Sequence, residues 1–415
     1  MIDTDLLIAD ADVVATCAGR GPQAGPAQGH ASLSERTSIA SCRGRIVWVG
    51  AARDAAAALA LTPDATVIDG RGLTVTPGFV DPHTHLVFGG DRRDELQRRL
   101  AGATYAEIAA GGGGIVKTVA ATRAATEDAL VEAALPRLAS MLAHGTTTAE
   151  VKSGYGLDLD TELRQLQAIQ RLAHLQPVSL SSTFMGAHEI PPEYRGRAEA
   201  YVDHVIDDMI PAVAEARLAE WCDVFCERGV FTPDQSVRIL EAGRAHGLMP
   251  RIHADELALS GGSAVAAQVE ARSADHLIYI DAPHADRLRE AGVIATLLPA
   301  AAFFLKLGQY APARMLIDRG VPVALATDLN PGGGFTPSMP FVMSLACFGM
   351  HMTMEEALVA STINAAAALS VDDRCGSLEV GKVMDAVLIR GPLTEVLKVG
   401  TTPMAGVIKN GLRVC

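Results

Sequence analysis

The sequence has no Cys-x-x-Cys pair, and its seven cysteines are scattered and odd in number. No disulfide framework is expected, and this usage suits buried thiols in a reducing compartment. Cys222 and Cys226 share a face if Trp221 to Glu227 is a strand, and are read as two small core residues. Basic charge is in deficit, with 35 Lys and Arg against 48 Asp and Glu and a formal charge of −13. That argues against a nucleic-acid binder. Long apolar runs are missing too. The longest, Val293 to Leu305, contains Pro299 and is too short for a hydrocarbon core of roughly 30 Å. The first residues carry Asp3, Asp5 and Asp10 without a basic n-region, so no secretory signal is expected. A cytoplasmic protein follows, without membrane or nucleic-acid partners. There is no internal repeat. There is also no phosphate loop, because Gly111 to Gly114 run into Ile115-Val116-Lys117-Thr118 and not into Gly-Lys-Ser/Thr. Four glycines in a row are read as a mobile loop over a site.

What is present is length and apolar content. With 415 residues, 49% of them hydrophobic and 20% charged, the chain can bury one large core and a smaller one. Leu6 to Thr16, Ile39 to Val49 and Thr66 to Asp69 read as strands, with the Gly/Pro/Ala/Ser-rich stretch Gly19 to Ser38 as an exposed loop. From His85 onward helical and strand patterns alternate. Glu127 to Ala143, Leu159 to Leu172 and Pro233 to His246 read as helices. Thr146 to Val151, Val178 to Met185, Asp223 to Cys226 and Met249 to Ala254 read as strands. Alternation over some three hundred residues predicts a parallel sheet in an α/β fold, with a (β/α)8 TIM-type barrel as the leading form. After Ser370 short strands return, with Asn410-Gly411 as a hairpin turn. The expected domains are residues 1–72 and 373–415, forming one small composite β-sandwich, and residues 73–372, forming the barrel.

The chemistry centres on Pro77-Gly78-Phe79-Val80-Asp81-Pro82-His83-Thr84-His85. Leu73 to Val80 reads as a buried strand leading into it. Residues two apart on a strand face the same way, so His83 and His85 can offer nitrogens to one metal ion. In a barrel, catalytic groups sit at the carboxyl ends of strands. Reading those ends in order gives Glu150 to Gly156, Gly186 to Glu189, Ile252 to Glu256, Ser273 to His276 after a strand over Gln268 to Ala271, and Ala326 to Gly332. Polar residues at six such ends in succession, with His or Asp recurring, are hard to explain by packing alone. His83, His85, His253 and Asp328 make a set of three imidazoles and a carboxylate that suits zinc or ferrous iron. Glu256 is placed to move a proton of bound water, and His276 to hold or protonate a developing oxyanion. Lys152 has two readings: a carboxylated bridge between two metals, or a plain buried or substrate-facing lysine, which is preferred. The remaining histidines are read as ordinary surface or core residues.

At this point the residues resemble the amidohydrolase superfamily, and within it the imidazolonepropionases of histidine degradation. The resemblance rests on strings that span the barrel: His83 to Arg92, Lys152 to Gly156, Phe184 to Glu189, Asp223 to Glu227, His253 to Glu256 and Thr327 to Gly332. It implies a metal-dependent hydrolase acting on a cyclic amide C–N bond. Its substrate would be 4-imidazolone-5-propanoate, opened by water to N-formimidoyl-L-glutamate. It also implies one zinc or iron ion per chain on His83, His85, His253 and Asp328. Catalytic roles fall on Glu256, at a position that is Gln in some members, and on His276 and Asp328. Substrate contacts fall on Arg92, Tyr155, His188, Glu256, Asn330, Gly332 and Gly333. Gly332-Gly333-Gly334-Phe335-Thr336 departs from the usual Gly-Thr or Gly-Ser continuation, so Gly333 offers no hydroxyl. Besides the small-molecule substrate, the expected partner is a second copy in a homodimer. Two other functions fit the same residues less well: an aminohydrolase of purines or pyrimidines, and a non-catalytic metal-stabilised scaffold.

Overall fold

A computed structural model describes residues 1–103, 107, 113–401 and 403–415. Of the glycine run, Gly111 and Gly112 lie outside the described residues; Gly113 and Gly114 are buried. In chain order the strands are β1 (Ile2–Ala15), β2 (Leu33–Cys42), β3 (Arg45–Ala51), β4 (Leu59–Asp69), β5 (Leu73–Pro77), β6 (Phe79–Asp81), β7 (Thr146–Lys152), β8 (Ser179–Ala187), β9 (Trp221–Cys226), β10 (Met249–Ala254), β11 (Ser273–His276), β12 (Ile294–Leu297), β13 (Val323–Leu325), β14 (Ala386–Arg390), β15 (Met404–Lys409) and β16 (Leu412–Arg413).

Strands β6 to β13 pair in sequence order, all parallel. The ring closes past the strand ends through a parallel bridge between Thr84 and Leu329. This is the expected barrel. Its helices begin where local chemistry says they should. Thr126 caps Glu127–Ala143, Asp158 caps Leu159–Leu175, and Thr232 with Gln235 forms a capping box on Pro233–Ala245. Segments from both ends of the chain share the other eight-stranded sheet, ordered β16-β15-β14-β5-β1-β2-β3 with β4 on β1. Its core takes Leu6, Ile8 and Ile39 from one end and Met384, Leu388 and Ile408 from the other. Neither end could bury these residues alone.

Several local expectations change in the fold. Leu73 to Val80 is two strands in two sheets, with Gly78 at the crossing. A Cβ on Gly78 would collide with the Thr147 side chain. Ile39 to Val49 is a hairpin turning at Arg43-Gly44, both at positive φ. Gln268 closes a helix, and the strand is Ser273–His276 itself. The Gly19 to Ser38 stretch is not simply exposed. Gln28 is buried and its amide exchanges two 3.0 Å hydrogen bonds with the backbone of Val323 on β13. A side-chain amide thus does the work of a neighbouring strand, which no hydrophobic pattern signals. Asn410-Gly411 turns as expected, with φ of 52° and 77°.

The two sheets are tied by a hydrogen bond from a buried, paired lysine as well as by packing. Lys409 donates to Asp385 at 2.6 Å and to Ser179 on β8 at 2.9 Å. Both ions are 3% exposed. Removing one partner of such a pair leaves a charge buried alone. Asp385→Ala is therefore expected to cost about 3–5 kcal/mol, read as an earlier urea midpoint. The double change Asp385→Leu with Lys409→Met should lose clearly less; an equal loss would refute the pairing argument.

Candidate active site

The carboxyl ends of the barrel strands surround one small cavity of about 100 Å³. Its lining includes His85, Arg92, Tyr155, His188, His253, Glu256, His276, Asp328, Asn330, Gly332 and Gly333. Every predicted site residue except His83 is on that wall. His83 is fully buried and lies beneath it, 3.3 Å from His85 between Nε2 atoms. The volume suits a small molecule. The other histidines, His30, His144, His174, His204, His246, His284 and His351, line no part of it.

Two imidazoles are fixed by buried carboxylates. His83 Nδ1 is 2.6 Å from Asp275 Oδ2, and His253 Nδ1 is 3.0 Å from Asp223 Oδ1. An ionised carboxylate only accepts, so both Nδ1 atoms carry the proton. Burial, then the Lys152 charge, holds His83 well below its ordinary pKa, so its ring is neutral and its Nε2 is bare. The Nε2 atoms of His83 and His253 each face His85 Nε2 at 3.3 Å. One proton on His85 could serve only one of them; a cation would serve all three. The donor atoms of His83, His85 and His253 lie within 4.8 Å of one another, so they could hold a metal ion. Asp328 Oδ1 is 3.6 Å from His83 and 3.7 Å from His85. Burial pushes its carboxyl up to about 7, against the pull of His253.

Below the histidines lies a layer of buried ions that the sequence reading missed. Lys152 donates to Glu150 and to Asp223, both at 2.8 Å. Arg251 donates to the Pro82 carbonyl at 2.7 Å and to Asp275 at 3.3 Å, and Ser273 donates to Asp275 at 2.6 Å. Glu150 also accepts from the Thr84 N–H at 3.1 Å, between the two histidines. Asp223 and Glu150 raise the Lys152 pKa against burial. Lys152 is thus a buried lysine within hydrogen-bond reach of two carboxylates. Parity was the available signal: Glu150 with Lys152, Arg251 with His253 and Ser273 with Asp275 are each two apart on a strand.

The upper wall is built from loops. Glu162 gathers the backbone N–H groups of Gly154, Gly156 and Leu157 at 2.8–2.9 Å, which shapes the loop carrying Tyr155. His188 Nδ1 is 2.9 Å from the Gly154 carbonyl and its ring stacks on His85 with centroids 4.9 Å apart. Asn330 Oδ1 accepts from the N–H of Gly332 and Gly333 at 2.8 and 2.6 Å. Its amide therefore shapes the glycine loop. Arg92 is buried, not solvated beside Asp91 and Asp94; its partner is Glu95. Glu256 is 12% exposed and 3.7 Å from His276 Nδ1, an atom without a hydrogen-bond partner among the described residues. Burial first, then the Asp328 and Glu227 charges, pushes its carboxyl up to about 8. His276 at φ 76° and Asp328 at φ 53° both hold left-handed backbone, the kind of strain that gathers at functional sites.

A parallel barrel with imidazoles and carboxylates clustered at the carboxyl ends of its strands is the architecture of a barrel hydrolase. The chain belongs to the amidohydrolase family, whose model matches residues 74–414. It is 50% identical over 393 residues to an imidazolonepropionase of Symbiobacterium thermophilum, covering 94% of this chain and 92% of that one. It is 49% identical to an imidazolonepropionase of Brevibacillus brevis, covering 97% and 96%. Among solved structures, an atrazine chlorohydrolase from Arthrobacter aurescens with zinc superposes with a TM-score of 0.74 at 17% identity, covering 99% and 95%. An adenosine deaminase from Xanthomonas campestris with zinc gives 0.69 at 19%, covering 99% and 93%. At those identities the structures share the fold.

The carboxylates behind the histidines generate a test. Asp275→Asn keeps the shape but weakens the grip on His83 Nδ1–H. Metal affinity should fall by about 10–100-fold, measured by competition with a chelator of known affinity. Unchanged affinity would mean that Asp275 does not orient the ligand.

Proposed function

We propose that the protein opens the ring of 4-imidazolone-5-propanoate with water, giving N-formimidoyl-L-glutamate. The observation that carries this reading is one small cavity that meets a three-imidazole cluster through His85 and His253 and is also lined by a buried arginine. The near-full-length identity to imidazolonepropionases supports it. One zinc or iron ion per chain would be held by His83, His85, His253 and Asp328. Such an ion supplies hydroxide near neutral pH and polarises a carbonyl.

The protein's own groups do the rest. Arg92 pairs the propionate carboxylate and so orients the ring. Tyr155 and His188 line the cavity together with Gly332 and Gly333 and shelter the ring from solvent. Glu256, with a pKa about 8, can exchange a proton near neutrality, as an acid/base should. It takes the proton of the attacking water and delivers it to the ring nitrogen as the C–N bond breaks. His276 turns its unpartnered Nδ1 toward this site; as Nδ1–H it donates to the developing oxyanion. Asn330 serves by holding the loop in place. Among the described residues no helix is long and apolar enough to cross a membrane, and all seven cysteines are free; a cytoplasmic setting is part of the proposal. The enzyme is read as a homodimer, which sedimentation tests.

The deciding experiment is loss of the imidazolone absorbance with purified protein, run beside an ammonia assay. Ring opening frees no ammonia, whereas a purine or pyrimidine aminohydrolase would release it. Elemental analysis should give about one equivalent of zinc plus iron per chain, from the four-ligand logic. Glu256→Gln should keep the metal and lower kcat by roughly 10²–10⁴-fold. Full activity in that variant would remove Glu256 from the proton path.

A further inference from the structure

We propose that Glu95 is the positioning residue that sets the carboxylate specificity of the cavity, by locking the Arg92 guanidinium. This rests on the reading of Arg92 given above. Glu95 is 1% exposed and is not itself among the residues lining the cavity. Arg92 Nε donates to Glu95 Oε2 at 2.8 Å, and Nη2 lies 2.7 Å from the same oxygen. The Nε edge of the guanidinium is thus taken. An arginine has five N–H donors, so the end formed by Nη1 and Nη2 keeps donors for a second carboxylate.

The other contacts of this pair explain why it is rigid. Glu95 Oε1 accepts from the Gly114 N–H at 2.9 Å. Gly114, at φ 76° and ψ −156°, opens the helix Ile115–Ala124, and Ile115 lines the cavity. One carboxylate therefore holds both the arginine and the start of a wall helix. On its face the guanidinium lies flat against Gly332, where a Cβ would fall onto Cζ and Nη1. Edge and face are both fixed, so the free end points one way before substrate arrives. Preordering of this kind removes the ordering cost from binding. In the empty cavity Glu95 also balances a charge that would otherwise be buried alone.

The test compares 4-imidazolone-5-propanoate with its propionamide, which has the same shape and no charge. In Glu95→Gln, KM for the acid should rise about tenfold or more, the worth of a lost charge-assisted hydrogen bond. The kcat for the acid and the KM for the amide should stay within about threefold, with metal content unchanged. Glu95→Asp keeps the charge but shortens its reach to the guanidinium, so it should give the same selective loss. It keeps the idea testable if Glu95→Gln folds poorly. Arg92→Ala separates the two layers of the argument. If it harms acid and amide equally, the carboxylate reading of Arg92 falls. If it harms the acid selectively while Glu95→Gln and Glu95→Asp do not, Glu95 does not position it, and this inference is overturned.

Discussion

The site depends on two hydrogen bonds that carry buried charge: His83 to Asp275 and His253 to Asp223. Each fixes which nitrogen faces a carboxylate, and each thereby turns an Nε2 toward His85. The carboxylates are in turn fixed by cations, Asp223 by Lys152 and Asp275 by Arg251. A buried ion pair of this kind is weak support for stability, because desolvation offsets most of the attraction. Its value here is orientation. Imidazoles free to rotate could bond to one another and would not converge on one point.

The same economy recurs at the barrel mouth. Single side chains there collect the backbone N–H groups of whole loops. Glu162 holds the turn that carries Tyr155, and Asn330 the loop of Gly332 and Gly333. Asp255 accepts from Ser260, Gly261, Gly262 and Ser263, just behind Glu256. A buried loop must satisfy its own backbone donors, and an acceptor side chain at its centre does this without another strand. Glycine is frequent in these loops where the backbone must come close. A Cβ on Gly334, for instance, would run into the Asp328 carbonyl.

The ions and the smaller sheet are connected through the barrel. Asp81, at the end of β6, accepts from the N–H and hydroxyl of Thr327, just past β13. That closes the ring directly beside the histidines, where strand pairing alone ends early. At the opposite end, Lys409, Asp385 and Ser179 bind the terminal sheet to β8. The site therefore sits at one end of a barrel whose other end is anchored to the terminal sheet.

Much of this was legible in the chain alone. Strand–helix alternation read out the barrel because periodicity is local. The His-x-His pair, His253, Glu256, His276 and Asp328 stood out because polar residues ended apolar runs. What stayed hidden depends on side chains meeting from distant strands. Asp223, Asp275, Glu150 and Arg251 look in sequence like isolated charges within strands; only the closed barrel brings them together. Leu73 to Val80 read as one strand because its apolar character is continuous, although the backbone changes sheets at Gly78. Gln28 looked like loop, since nothing near it predicts a bond to Val323. Arg92 stood out as a substrate contact, but nothing near it in sequence pointed to its partner Glu95 over the flanking Asp91 and Asp94. The sequence by itself determined which groups exist and at which strand ends they stand. Tertiary structure decided which were charged, which way each ring faced and which donors were left over, because protonation and orientation are set by burial and by neighbours far away in the chain.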